Sequence, residues 1–330
     1  MYSERITIWE NKEYQYEGAF GFVPFLMTYF HEDETKRPCI VVVPGGGYSI
    51  VSSTEGEIVA KKFYQMGYHA VVCTYTTNLI RTAPLLNQPM KDLARTIRIL
   101  RQHADEWQID TSKIVVCGFS AGAHLCGSVC VHHEDIIDDN VKYAEMSNRP
   151  DAAILSYPVI FSEGETHKDS FANLLGNDAT KEQLEYASID KHVTEDTCPC
   201  FIWQTATDET VPVKNSYAMA QACLNHGVPF AHHVFTEGQH GLSLADDDWA
   251  NGRFGELYTF EQTKCIISFM EENHIPIPKE MDGIRMMLTP PEEMSEEMLE
   301  EAKKMQVDMK ANEEVSVWPE LADTWLKKQL

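Results

Sequence analysis

Ser120 lies in Gly118-Phe119-Ser120-Ala121-Gly122, behind the apolar run Ile114-Val115-Val116-Cys117 and ahead of a helix expected over Ala121 to Val131. A G-x-S-x-G sequence between a strand and a helix is the pattern of a nucleophile elbow. The turn is too tight for side chains beside the serine, which is what the glycines provide. A serine hydroxyl is a poor nucleophile near neutral pH. It needs an imidazole to take its proton and a carboxylate to hold that imidazole in one tautomer. In the order serine, acid, histidine, both partners come later in the chain and sit on loops that follow strands. Asp208 follows the apolar segment Cys200-Phe201-Ile202-Trp203-Gln204, and His240, in Gly238-Gln239-His240-Gly241, follows Phe230 to Phe235. Glu209, next to Asp208, is the alternative acid. Asp190 precedes the relevant strand, and Asp246 comes after the histidine.

Acyl transfer also needs donors for the oxyanion that forms on the attacked carbonyl, and backbone N–H groups serve without adding a titratable group. Ala121, directly after the serine, is the first. Pro44-Gly45-Gly46-Gly47-Tyr48 is the second source, because bare backbone at the end of a strand allows close approach. A flexible glycine turn is the plainer alternative there. No Gly-Lys-Ser/Thr follows, so the loop is not a phosphate cradle. Thirteen histidines make any single one weak evidence of a role. The pairs His132-His133 and His232-His233 lack a convergent ligand set, and Cys126, Cys130, Cys198 and Cys200 lack zinc-type spacing, so neither metal nor cofactor is expected.

The elements that must position these residues alternate. Strands are expected near Ile6 to Trp9, Phe22 to Phe30, Cys39 to Val43, His69 to Tyr75, Ile114 to Cys117, Ala152 to Ser156, Cys200 to Gln204 and Phe230 to Phe235. Helices are expected over Glu55 to Met66, Met90 to Trp107, Ala121 to Val131, Lys181 to Ala187 and Val213 to His226, with a turn at Asp110 to Ser112. This order predicts an α/β class: a doubly wound, mainly parallel sheet of about eight strands with helices on both faces. Reactive loops of such sheets gather beyond the carboxyl ends of the strands.

At 330 residues the chain can bury a large core without disulfides. Its nine scattered cysteines, several inside apolar runs, suit a reducing compartment. The first residues lack a basic-then-apolar signal and no apolar run reaches the length of a membrane span, so a cytoplasmic location is expected. With 27 basic and 51 acidic residues the formal charge is -24, which repels nucleic acid and anionic membranes and leaves neutral substrates. Between residues 276 and 314 two proline-rich turns enclose an acidic, methionine-rich segment. Thr289-Pro290-Pro291-Glu292 reads as a helix start, and Met294, Met298, Ala302, Met305 and Met309 fall on one stripe. That stripe reads as an amphipathic helix docked on its own domain; a lid over an acyl pocket and a contact between copies in a homo-oligomer are the other readings.

The chain resembles the α/β-hydrolase superfamily, and within it the acetyl-xylan and feruloyl esterase-like group of bacterial serine esterases. The pieces that carry the resemblance are Val43-Pro44-Gly45-Gly46-Gly47-Tyr48, Met90-Lys91-Asp92 leading into Arg95-Thr96-Ile97-Arg98, Gly118 to Leu125, Ser156-Tyr157-Pro158-Val159-Ile160, Asp208-Glu209-Thr210-Val211-Pro212 and Gly238 to Leu242. They run in family order across roughly residues 20 to 245. The resemblance implies an α/β-hydrolase domain over 1–330, with Ser120 as nucleophile, His240 as base and Asp208 as its partner. It further implies Gly46, Gly47 and Ala121 as oxyanion donors, with Tyr48 as a substrate contact beside them. It makes Val315 to Leu330 the closing helix and 245–314 an enlarged helical insertion before it. The implied reaction is removal of acetyl or another short acyl group from a small-molecule or oligosaccharide ester of the xylo-oligosaccharide type, imported rather than extracellular. An arylformamidase or peptidase of the same superfamily is the alternative, as is a non-catalytic binding protein on the same fold, whose sign would be a broken triad.

Overall fold

Residues 1–10, 12–278, 281–289, 293–296, 298–299 and 309–330 are described by a computed structural model. The apolar runs become β1 (Arg5–Thr7), β2 (Phe25–Tyr29), β3 (Arg37–Val43), β4 (His69–Cys73), β5 (Ile109–Phe119), β6 (Ala152–Ser156), β7 (Cys200–Thr205) and β8 (Phe230–Phe235). They form one sheet in the order β1-β2-β4-β3-β5-β6-β7-β8. The β1–β2 and β2–β4 pairs are antiparallel and the rest are parallel. The helices are α1 (Glu57–Gln65), α2 (Gln88–Gln102), α3 (Ala121–His132), α4 (Lys168–Leu175), α5 (Lys181–Tyr186) and α6 (Lys214–His226).

Successive residues of a strand point to opposite faces, so a strand covered on both sides must be apolar throughout. In β3, Cys39, Val41 and Val43 enter the core under α2, α3 and α6. Ile40 and Val42 enter the opposite core with Ile58, Val59 and Phe63 of α1 and Trp318, Ala322 and Leu326 of the final helix, Trp318–Gln329.

Several expectations shift. The helix expected to Trp107 stops at Gln102, where the His103 ring stacks on Trp107 at 4.7 Å and the chain turns so that Ile109 N donates to Ala104 O. Asp110 to Ser112, expected as a turn, belongs to β5. Asp110 Oδ1 still accepts from Ser112 N at 3.1 Å, and the irregularity appears as a register shift opposite Arg37 and Cys39. The short helix α4 was not anticipated from the sequence, and the closing helix starts at Trp318 rather than Val315.

Within 245–314, helix Glu261–Glu272 brings Ile266, Ile267 and Met270 together with Met281 over Phe20, Leu79 and Ile80. Its Gln262 side chain accepts from Thr77 N and donates to Thr77 O at 2.8 and 2.7 Å, fastening the segment to the loop after β4. Thr289, expected to cap the start of a helix, instead closes helix Asp282–Leu288, with its hydroxyl donating to Arg285 O at 2.8 Å. Pro290, Pro291, Glu292, Ala302 and Met305 of the expected helix lie outside the described residues. No described helix is long and apolar enough to cross a membrane.

Candidate active site

Parallel strands deliver their following loops to one edge of the sheet, and β3, β5, β7 and β8 each contribute there. Ser120 occupies the turn between β5 and α3 with φ 52° and ψ -118°. Positive φ is costly for a residue with a Cβ and persists only where surrounding structure imposes it. Here the imposing contact is at Gly122, where a Cβ would lie 2.8 Å from Pro44 C, so the helix can approach the glycine loop only with bare backbone.

Ser120 Oγ lies 2.8 Å from His240 Nε2, and His240 Nδ1 lies 2.6 Å from Asp208 Oδ2. The three sequence-predicted residues therefore meet. Asp208 is buried, and its Oδ1 accepts from Thr210 N and Val211 N at 3.0 and 2.9 Å. The carboxylate is thus fixed by its own loop, and Oδ2 takes the imidazole together with a longer bond from Gln204 Nε2 at 3.4 Å. Glu209, the alternative acid, is exposed. The β7 and β8 loops are clamped together: Thr207 Oγ1 accepts from Gly238 N at 2.9 Å, and Thr205 Oγ1 donates to Gly238 O at 2.8 Å.

The glycine loop is pinned at successive backbone groups. Gly45 N donates to Glu55 Oε2 at 2.7 Å, Gly46 O accepts from Ser49 N at 3.0 Å, and Gly47 O accepts from Asn173 Nδ2 at 2.8 Å. With these carbonyls occupied, the loop is held beside Ser120, as donors need to be if they are not to reorganise during reaction. Gly46, at φ 118° with Ile50 Cγ1 only 2.7 Å from where a Cβ would lie, admits no other residue without rearrangement. Ala121 begins α3 directly after the serine.

Tyr48, expected to touch substrate, is buried at φ 60°, with its hydroxyl 2.7 Å from His124 Nδ1. It forms part of the wall of a largely apolar cavity of about 380 Å³ with Leu86, Met90, His124, Leu174 and Tyr186. Ser120 and His240 do not line that cavity.

Sequence reasoning missed four residues at this edge. Glu55 was placed inside a helix. It sits in the 3₁₀ turn before α1, buried, between Gly45 and the Tyr157 hydroxyl, which donates to Oε1 at 2.6 Å. Burial pushes its carboxyl up, and the bonds from Tyr157 and Gly45 pull it back. Tyr157, noted only as part of a motif, packs its ring edge-on to His240 at 4.9 Å. His167, half-buried at the start of α4, places Cε1 3.5 Å from where a Gly47 Cβ would lie. Burial lowers its pKa, and the neighbouring His240 acts in the same direction. Asn173 belongs to α4, and its contact with Gly47 spans 126 residues, so no local signal exposes it. Among the described residues no group of three His, Cys, Asp or Glu is placed to hold a metal ion.

The sequence model of the BD-FAE family matches residues 27–223. The chain belongs to the BD-FAE family. The match takes in the glycine loop, Ser120 and Asp208, and ends before His240. Endo-1,4-beta-xylanase B of Butyrivibrio fibrisolvens is 48% identical over 259 residues, 78% of this chain and 41% of that protein. Acetylxylan esterase of Xylanibacter ruminicola is 31% identical over 267 residues, 79% of this chain and 50% of that protein. The chain thus spans half or less of the length of these curated relatives. Among solved structures, the acetyl ester-xyloside bifunctional hydrolase of Caldicellulosiruptor lactoaceticus superimposes with a TM-score of 0.69 at 35% identity, covering 82% of this chain and 97% of that one. The BD-FAE chain thus has the α/β-hydrolase fold.

Proposed function

We propose that the protein is a serine esterase that removes acetyl or other short acyl groups from carbohydrate esters of the xylo-oligosaccharide type, through an acyl-enzyme on Ser120. The observation that carries this reading is the relay Ser120 Oγ, His240, Asp208, at 2.8 and 2.6 Å. Ser120 Oγ attacks the ester carbonyl carbon while His240 Nε2 takes the hydroxyl proton, and the carbonyl π electrons move onto oxygen. Ala121 N–H and the amides of Gly46 and Gly47 receive that oxyanion. Its collapse breaks the bond to the sugar oxygen, which takes the proton back from His240. Water then repeats the sequence, releasing the carboxylic acid and restoring Ser120. Tyr48, with its hydroxyl committed to His124, serves the shape of the loop rather than touching the ester.

The acyl and sugar classes are supported by the acetylxylan esterase and acetyl ester-xyloside hydrolase relatives. Glycosidic cleavage draws less support. It calls for two carboxylates flanking the scissile bond, whereas the two carboxylates here are already committed, Asp208 to the imidazole and Glu55 to the Tyr157 hydroxyl and Gly45 N. The xylanase relative is matched over only 41% of its length. The test is acetate release from acetylated xylo-oligosaccharides, with N-formylkynurenine and short peptides as competitors. Wild type should deacetylate the sugar fastest, and Ser120→Ala should lose at least about a thousandfold in kcat. Equal slow rates in the two proteins would remove the proposal.

A further inference from the structure

We propose that Glu55 is a positioning residue for acyl transfer: its buried carboxylate ties the glycine loop to the histidine loop and sets a second negative charge behind the Tyr157 ring that packs on the imidazole of His240. The inference rests on the Ser120 chemistry proposed above.

The hydrogen bonds run in one direction. Ser243 N donates to the Tyr157 hydroxyl at 3.1 Å, that hydroxyl donates to Glu55 Oε1 at 2.6 Å, and Gly45 N donates to Glu55 Oε2 at 2.7 Å. Three loops that are far apart in the chain, after β3, β6 and β8, thus converge on one carboxylate. The fit is close: a Cβ on Gly45 would lie 2.9 Å from Ser120 Cβ and 3.0 Å from Glu55 Oε2. Tyr157 is held at φ 37°, with its N–H on Trp203 O at 2.7 Å, so its ring cannot swing freely away from His240. A strained backbone beside a reacting group marks a constraint that the rest of the fold maintains.

Glu55 bonds to Tyr157 and interacts by charge with Tyr75, Cys117 and His240, and burial keeps the two phenols and the thiol neutral. His240 interacts with Ser120, Asp208, Tyr157, His167 and Glu55. When Ser120 gives up its proton the site acquires an imidazolium and an oxyanion. The Glu55 carboxylate favours the first by charge and the second by keeping Gly45, and hence the amides after it, in place. A carboxylate held by two donors in a dry site performs both tasks without reorganising.

Glu55→Gln keeps the shape, removes the charge and puts a donor where one of the two accepting oxygens stood, so that the bond to Tyr157 is reversed or the bond to Gly45 is lost. Kinetics should be normalised to the fraction of Ser120 labelled by a fluorophosphonate, so that misfolded protein does not count. The expected result is a kcat lower by about 10- to 100-fold with KM within about threefold, and the acid limb of the kcat/KM profile moved to lower pH. A side chain needed only for folding would lower the labelled fraction and leave kcat per labelled site and the acid limb unchanged, and that result overturns the inference. Should Glu55→Gln not fold, Tyr157→Phe carries the test, because it leaves the carboxylate on Gly45 and cuts its link to Ser243. A kcat reduced at least about fivefold at constant KM supports the inference, and a wild-type kcat overturns it. If wild type itself is not labelled at Ser120, the esterase reading falls and this one with it; if it is labelled and both variants behave as wild type, only this one falls.

Discussion

At the scale of the residue, Asp208 is the most sharply constrained group of the relay. Oδ1 takes two backbone N–H groups and Oδ2 takes the imidazole N–H and the Gln204 amide, so every bond it makes is accepted. Asp208→Asn must turn an NH2 toward one side or the other. Toward the loop it opposes Thr210 N and Val211 N; toward His240 it favours the tautomer whose Nε2 carries the proton and cannot accept that of Ser120. We expect kcat to fall by about 10⁴-fold, read as turnover of an aryl acetate, with no rescue by the exposed Glu209. A loss of less than about tenfold would mean that the carboxylate does not set the tautomer. Ser120, Asp208 and His240 were legible because each stands just past an apolar run, where local sequence announces a strand end. Glu55 was not, since its bonds to Gly45 and Tyr157 join residues 10 and 102 positions apart and its own neighbours, Thr54 and Gly56, give no sign of burial. Tyr48 carried a partial signal: its place after the glycines was evident, but the turn of its hydroxyl toward His124, 76 residues on, was not.

At the scale of the element, the histidine loop depends on the end of the chain. Trp318 is fully buried, stacks on Trp203 at 5.3 Å and donates its indole N–H to Ser243 O at 2.8 Å, while Asn312 N donates to Ala245 O at 2.8 Å. The closing helix is therefore a brace for the loop that carries His240. Trp318→Phe keeps an aromatic ring in the core, removes the hydrogen bond and leaves a gap. The expected cost is about 2–3 kcal/mol in urea unfolding, together with a drop in kcat greater than the unfolded fraction explains. Full kcat in the folded fraction would show that the loop holds its shape without the helix. The strands were legible because burial on both faces forces unbroken apolar runs, as in Ile40 to Val43. The ends of α2 and β5 were less so: Asp110 and Ser112 form the local bond of a turn, while Ile109 before them and Ile114 after them pair with β3 and carry the strand across. Helix α4 escaped notice because its stretch, Lys168 to Leu175, is short and begins with three polar residues. What fixes it is contact at a distance, through Asn173 to Gly47 and Phe171 against His124.

At the scale of the whole molecule, the pH response is set by buried groups whose folded pKa departs from the unfolded one. His124, one turn into the helix that Ser120 starts, accepts from the Tyr48 hydroxyl at Nδ1 and donates from Nε2 to Ala187 O at 2.8 Å. Burial favours the neutral ring and pushes its pKa down to about 4. An unfolded histidine titrates near 6.5. Because the folded value is the lower one, the neutral ring's contribution is complete above about pH 6.5 and is lost as pH falls toward 4, a total on the order of 3 kcal/mol. Asp92 acts in the opposite sense. Burial raises it to about 6 in spite of bonds from Thr76, Trp9 and Gln88, so its share is present below about pH 4 and lost as pH rises through 6. Lowering pH also reduces the self-repulsion of a chain that carries a net charge of -24. His124 differs from these terms in consequence, since protonating it reverses its bond to the hydroxyl of Tyr48, which directly follows the glycines. His124→Gln should be less stable than wild type at pH 7.5, through loss of the ring packed edge-on against Phe171 and Tyr48, yet show a flatter decline between pH 6.5 and 4.5 when unfolding free energy is measured in urea at stepped pH. The two curves should converge toward the acid end by about 2–3 kcal/mol. Parallel curves would place the acid sensitivity elsewhere and leave the Tyr48–His124 bond without a part in it.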